Sequence, residues 1–327
     1  MDHRRQSAGG WRADRSVARE PEGGSPCRLL REVRAQMEIK EALQIWSEWY
    51  SRNAEVWDAR VVPRWQPLYK ELVRRANIPA GSEVLDVGTG TGTAALEALS
   101  AVGSEGHVIG IDNSEGMLRI AEGKARKLAA NNIEFRRMDL SSLDFPEGRF
   151  DRVISSFAIY GSFPPGVGLK EAHRVLQKGG KLAFSMYGKP VQESPQIIYG
   201  RIFEKHRTKE PSAFLRQMRE ASSIIGLGFC QYGPLSEPSE PSAVLRFLRG
   251  VGFQDVEASM THRRIIFPSI EGFVEDRVAV FSPIEYSEMT EQGRRELMDE
   301  CLAALRPFLS DEGLVSEGEV IYYTGYK

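Results

Sequence analysis

The run Asp86-Val87-Gly88-Thr89-Gly90-Thr91-Gly92 closes one apolar stretch, and a second acid, Asp112, closes the next. Alternate glycines between a strand and a helix let the backbone turn sharply and offer bare N–H groups to a ligand. Read from Gly90, the residues GTGTAA fit the dinucleotide fingerprint, with Asp112 spaced to hold a ribose hydroxyl. On the glycines alone, a nicotinamide or flavin cofactor stays open. The register argues for something else. The strand ends at Val87, the first turn glycine is Gly88, and Asp86 stands among the strand's last residues. A carboxylate there repels a pyrophosphate and attracts an ammonium group. The turn suits a ligand with an amino-acid end and a ribose but no phosphate.

Such residues need a scaffold that alternates strands with helices. Apolar runs at 83–88, 107–112, 133–139, 151–158 and 178–188 read as strands. Helices are expected through TAALEALSAV, over 114–130 with Ser114 as N-cap, and around 166–176. Further strands are expected at 254–261 and 319–327. The alternation predicts an α/β, Rossmann-like fold with a mostly parallel seven-stranded sheet and helices on both faces. Helical inserts at about 190–240 and 265–315 fall where a lid would cover a substrate. Two helices precede the sheet. One carries Ile39, Leu43, Trp46 and Tyr50 at helical spacing, and the other runs from about 66 to 76. Residues 1–36 hold eight Arg and no Lys with little apolar periodicity, and read as a disordered extension of a domain over 37–327.

The totals narrow the function classes. Hydrophobic content of 41% and charged content of 27% are ordinary for a globular chain. A net charge of −2 argues against nucleic acid as partner. No apolar run nears the ~20 residues that an integral membrane segment requires. Cys27, Cys230 and Cys301 are dispersed, as are the five histidines, so no metal site is expected and a cytoplasmic setting is. Oligomeric state is not legible.

Taken together, the motifs resemble those of class I S-adenosylmethionine-dependent methyltransferases, of the ubiquinone/menaquinone C-methyltransferase-like (UbiE-like) type. VLDVGTGTG resembles the family's first motif, with Thr89 where Cys is usual. VIGIDNSEGML, FRRMDLSSLDF, FDRVISSFAIYGSF and EAHRVLQKGGKLAFSMYG resemble the segments that follow, in order. The resemblance implies S-adenosylmethionine as cofactor. Asp86 would face its ammonium group, with Gly88, Thr89, Gly90 and Gly92 forming the turn beneath it. Asp112 would take the ribose hydroxyls, flanked by Asn113 and Met117. Asp139 would meet the adenine amino group, with Met138 and Leu140 beside the ring. Ser155, Ser156 and Phe157 would line the methionine end, and Tyr50 would cover the cofactor.

The reaction implied is in-line transfer of a methyl group to a C, O or N atom of a small organic molecule, releasing S-adenosylhomocysteine. The protein's part is alignment, exclusion of water and, where needed, proton removal. Tyr160, Tyr187, His206 and His262 are the candidate bases, and an apolar, aromatic pocket is expected. His173 reads as structural, and Arg263 and Arg264 as a solvated pair. A non-catalytic cofactor-binding or partner subunit is the alternative, and an NAD(P)-dependent oxidoreductase a more distant one.

Overall fold

The structure is a computed structural model that describes residues 39–162, 166–189, 191, 193–231 and 241–327. The extension expected over 1–36 lies outside the described residues, as does most of the loop expected between 231 and 242.

Two helices open the described chain, α1 (Ile39–Arg60) and α2 (Val62–Ala76). α2 begins four residues earlier than the sequence pattern suggests, because Pro63 sits in its first turn, where a missing N–H costs nothing. Then follow β1 (Glu83–Val87), α3 (Thr93–Val102), β2 (His107–Asp112), α4 (Glu115–Lys127), β3 (Ile133–Arg137), β4 (Phe150–Ser156), α5 (Val167–Val175) and β5 (Leu176–Tyr187). Ser114 caps α4, its hydroxyl accepting from the Met117 N–H at 3.4 Å. The first insert supplies α6 (Pro195–His206) and α7 (Ala213–Gln231). After α8 (Pro241–Val251) and β6 (Gln254–Phe267), the second insert supplies α9 (Ile270–Phe281), α10 (Pro283–Glu288) and α11 (Glu291–Leu305). A two-residue β7 (Leu309–Ser310) and the long β8 (Gly313–Tyr326) complete the described chain.

The strand order is β3-β2-β1-β4-β5-β8-β6, with β7 paired to β8 off this path. β1 to β5 are parallel, and β8 runs antiparallel between β5 and β6. The seven expected strands thus form the main path. The β6–β8 hairpin is longer than expected, reaching the Phe267–Leu314 pair. Its polar His262-Arg263-Arg264 stretch had masked the alternation that continues through Ile265 and Phe267.

β1 and β2 are buried on both faces, which is why they read as unbroken apolar runs. Leu85, Val87, Ile109 and Ile111 feed one apolar layer with α5 and α8, while Val84 and Val108 feed the other with α2 and α3. Strand order reverses between β1 and β4, so a crevice opens at the carboxyl ends of these strands. Among the described residues, no helix is long and apolar enough to cross a membrane, and no cluster of three or more His, Cys, Asp or Glu is arranged to hold a metal ion.

Candidate functional site

The turn after β1 sits in that crevice. Gly88, Gly90 and Gly92 all have positive φ, of 70°, 55° and 80°. The reasons differ. A Cβ on Gly88 would lie 2.2 Å from the Ala158 Cβ, and one on Gly92 would lie 2.8 Å from that of Ala121. A Cβ on Gly90 would meet nothing within 4 Å. Gly88 and Gly92 therefore serve packing, while Gly90 presents bare backbone to open space.

Asp86, at the end of β1, is fully buried. Its Oδ2 accepts from the Thr89 hydroxyl at 2.7 Å, and its Oδ1 is buried with no hydrogen-bond partner. Burial, reinforced by the nearby Asp112, pushes its pKa up to about 7, against the Thr89 hydrogen bond. Nearby buried hydroxyls are also left over, those of Thr93 and Ser156.

Asp112, at the end of β2, is held by two backbone donors. Gly90 N–H reaches Oδ2 and Ser114 N–H reaches Oδ1, both at 2.9 Å. Each oxygen keeps a lone pair for a ligand. Burial raises its pKa, and the hydrogen bonds from Ser114, Gly90 and Asn113 oppose that rise. α1 is pinned over this corner. Ser47 donates to the Asn113 carbonyl at 2.8 Å, the Ser51 and Ser114 hydroxyls meet at 2.9 Å, and Gly116 N–H donates to Ser51 Oγ at 3.2 Å. A Cβ on Gly116 would lie 2.1 Å from the Ser51 carbonyl oxygen, so this helix contact requires glycine. The pinning sets Tyr50 close to Asp112. Its phenol is pushed up to about 12, first by burial and then by the Asp112 charge.

The remaining expected cofactor contacts divide. Met117 is buried on α4, and Asn113 is exposed beside Asp112. Asp139 is exposed just past β3, its Oδ1 accepting from Ser141 N–H at 2.7 Å, with Met138 and Leu140 half-buried on either side. Ser155 is a correction. It is fully buried, its hydroxyl donating to the Val87 carbonyl at 2.7 Å and accepting from Ile159 N–H at 3.0 Å. It ties β4 to β1 and has no exposed atom to line a ligand.

Beyond Ser156 lies an aromatic hollow. Phe157 adopts φ of 56°, a left-handed conformation rare for a bulky residue and typical of functional sites. Its ring lies 4.8 Å from Trp65 and 4.7 Å from Tyr187. Tyr50, Trp57 and Phe281 continue the lining through edge contacts of 5.7 and 6.3 Å. Tyr187 is 43% exposed, yet burial among surrounding protein pushes its phenol well up, with Tyr50 adding to the rise. Its ring is thus crowded by protein on one side and open to solvent on the other. Tyr160 faces the same groups, its phenol raised first by burial and then by Tyr187 and Tyr50.

The two histidine candidates lie elsewhere. His206 ends α6 and pairs with Glu300 at 2.9 Å and Glu296 at 3.9 Å, fastening the first insert to α11. His262 is exposed on β6, on the opposite side from its neighbour Arg263. His173 packs edge-on against Phe253 at 4.9 Å, and its structural reading stands.

The solvated pair also comes apart. Arg264 is exposed and bridges Glu312 at 2.5 Å. Strand alternation turns Arg263 the other way, over the Trp65 ring at 5.4 Å. There it approaches Arg277 of α9, a residue that no sequence pattern singled out. Arg277 lies over Phe281 at 4.3 Å, and burial lowers the pKa of both guanidinium groups.

With this geometry in view, likeness to known proteins can be placed on it. Residues 78–222 match the family described as a methyltransferase domain. Demethylmenaquinone methyltransferase of Geobacillus stearothermophilus is 34% identical over 131 residues, 40% of this chain and 55% of that protein. The Listeria welshimeri protein of the same name is 32% identical over 134 residues, 41% of this chain and 56% of that one. The chain thus spans a little over half the length of these relatives. A solved structure from Bacillus halodurans C-125, described as a methyltransferase, superposes with a TM-score of 0.51 at 22% identity, covering 79% of this chain and 98% of that one. That likeness shows the fold. Residues 78–222 are thus similar to a methyltransferase domain, on the Rossmann-like fold that such proteins share. Over this region the chain is similar to demethylmenaquinone methyltransferases.

Proposed function

We propose that this protein transfers a methyl group from S-adenosylmethionine to a small organic molecule held in the aromatic hollow. The observation that carries the reading is the pair of unlike carboxylates flanking bare backbone. Asp86 keeps a buried oxygen without a partner, Gly90 leaves open space, and Asp112 closes the other side. This donor and acceptor set fits a ligand with an ammonium group and a ribose diol. Asp86 would take the ammonium group, Asp112 the ribose hydroxyls, and Asp139 the adenine amino group between Met138 and Leu140. Tyr50 would lie over the ribose.

The bound cofactor supplies an activated sulfonium methyl. The chain's own residues do the rest. Phe157, Trp65 and Tyr187 line the hollow beside the strand ends and would shed water to an acceptor seated there. The pinned α1 keeps Tyr50 over the site and holds the hollow closed on that side. Tyr160 and Tyr187 are the groups positioned to accept or donate a hydrogen bond to the acceptor. Burial keeps both phenols protonated at neutral pH, so they act as hydrogen-bonding groups that orient the acceptor rather than as ready bases. The dispersed cysteines support a cytoplasmic setting.

The test is isothermal titration with S-adenosylmethionine, S-adenosylhomocysteine, NADH and NADPH. The adenosyl ligands are expected to bind, and Asp112→Ala to weaken them about 100-fold, the worth of two charge-assisted hydrogen bonds. Binding of a nicotinamide cofactor in their place would overturn the assignment.

A further inference from the structure

We propose that the methyl acceptor carries an acidic group, a carboxylate or phosphate, held between the guanidinium groups of Arg263 and Arg277 at the rim of the aromatic hollow. The proposal rests on the methyltransferase reading for what happens to that molecule, but not for how its charge is recognised.

The first observation is an imbalance of charge. Arg60, Arg64 and Arg277 converge on a single carboxylate, Asp276 of α9, which is 1% exposed. Arg64 takes its Oδ1 at 2.6 Å, and Arg60 stands 3.9 Å from the same oxygen. Arg277 reaches only Oδ2, at 3.5 Å, too long for a hydrogen bond of good geometry. Its Nε is buried without a partner. Arg263 has no carboxylate within ion-pair distance among the described residues. Two guanidinium groups are thus left under-paired, and burial penalises both charges.

The second observation is where they point. Arg263 stands opposite Gly318 of β8, where a Cβ would lie 3.1 Å from its Nη2, so the bare strand gives the guanidinium room. It lies over Trp65, whose ring is 5.7 Å from Tyr187. Arg277 lies over Phe281, which contacts Trp57. Both cations act on Tyr187 electrostatically, and the Arg263 charge disfavours that of Arg277. Two like charges brought together at the rim of a hollow are relieved by an anion between them. The planar guanidinium fork matches carboxylate and phosphate oxygens, and the rings beside it suit an unsaturated body.

The experiment titrates 2-naphthoate, 2-naphthyl phosphate and the uncharged 2-naphthamide into the protein, with and without S-adenosylhomocysteine. The acids are expected to bind at least about tenfold tighter than the amide, as charge-assisted bonding requires. Arg263→Gln and Arg277→Gln are each expected to remove most of that preference without changing affinity for S-adenosylhomocysteine. Arg263→Lys, which keeps the charge but not the fork, should retain part of it, and unchanged affinity for S-adenosylhomocysteine guards against a folding defect in Arg277→Gln. Equal binding of acid and amide, no binding of the acids, or an unchanged preference in Arg263→Gln would each overturn the proposal. Failure of S-adenosylhomocysteine to bind would instead defeat the cofactor reading. The preference in cofactor-free protein would still decide the role of the arginines.

Discussion

Asp86 and Asp112 are both carboxylates at strand ends, yet their surroundings differ. Asp112 is met by backbone donors at both oxygens, whereas Asp86 is met at one only. Between about pH 4 and pH 7 the cofactor-free protein therefore holds a proton on Asp86 that the unfolded chain has released. With a folded pKa of about 7 and an unfolded one near 4, its contribution to stability is full below about pH 4 and is lost as pH rises through about 7. Urea unfolding of the cofactor-free protein at pH 5 and pH 8 should show this loss, and Asp86→Asn should flatten it. An ammonium group beside Asp86 restores the charged form. Cofactor binding near pH 6 should release a proton, read as a dependence of titration heat on buffer ionisation enthalpy, and Asp86→Asn should abolish that release. This acid was legible in the sequence because its meaning lies in local spacing with the glycines. Arg277 was not, because nothing near it in the chain foretells the rings and the second arginine that α9 brings to it. Arg263 was misread because its neighbour Arg264 is solvated, and only the strand's period of two separates them.

At the scale of elements, the fit of helix to turn decides the site. Gly88→Ala must displace Ala158 as well as strain a positive φ, and should destabilise the protein by about 2–4 kcal/mol. Gly90→Ala meets only the backbone strain and should cost about 1 kcal/mol, while its methyl group intrudes where a ligand would lie. Chemical denaturation paired with S-adenosylhomocysteine titration separates the two. Gly116→Ala should push α1 away from α4 and weaken S-adenosylhomocysteine about tenfold by displacing Tyr50 from Asp112, although neither residue is altered. The parallel part of the sheet was readable because doubly buried strands are continuously apolar. The β6–β8 hairpin was only half readable, since the portion beyond the sheet carries polar residues on one side and its length is set by pairing between distant segments. Likewise, the role of Ser155 turns on Val87 and Ile159, which spacing alone does not bring to it.

Across the whole molecule, the second insert is fastened to the amino-terminal helices by charge. Asp276 on α9 receives Arg64 of α2, and Glu285 on α10 receives Arg219 of α7, so both inserts are tied into one cover. Asp276→Asn should leave three arginines without their acid and destabilise the fold by about 3 kcal/mol, measured by urea unfolding.

Every tryptophan among the described residues, Trp46, Trp49, Trp57 and Trp65, stands on α1 or α2. None lies in the sheet. The ultraviolet emission of these four therefore reports on two helices and the hollow they border, and says little about the strands. A filled hollow should dim that light. On heating, the emission of these four should change when α2 leaves the sheet and α1 leaves the helices it packs on, whether or not the strands have yet come apart.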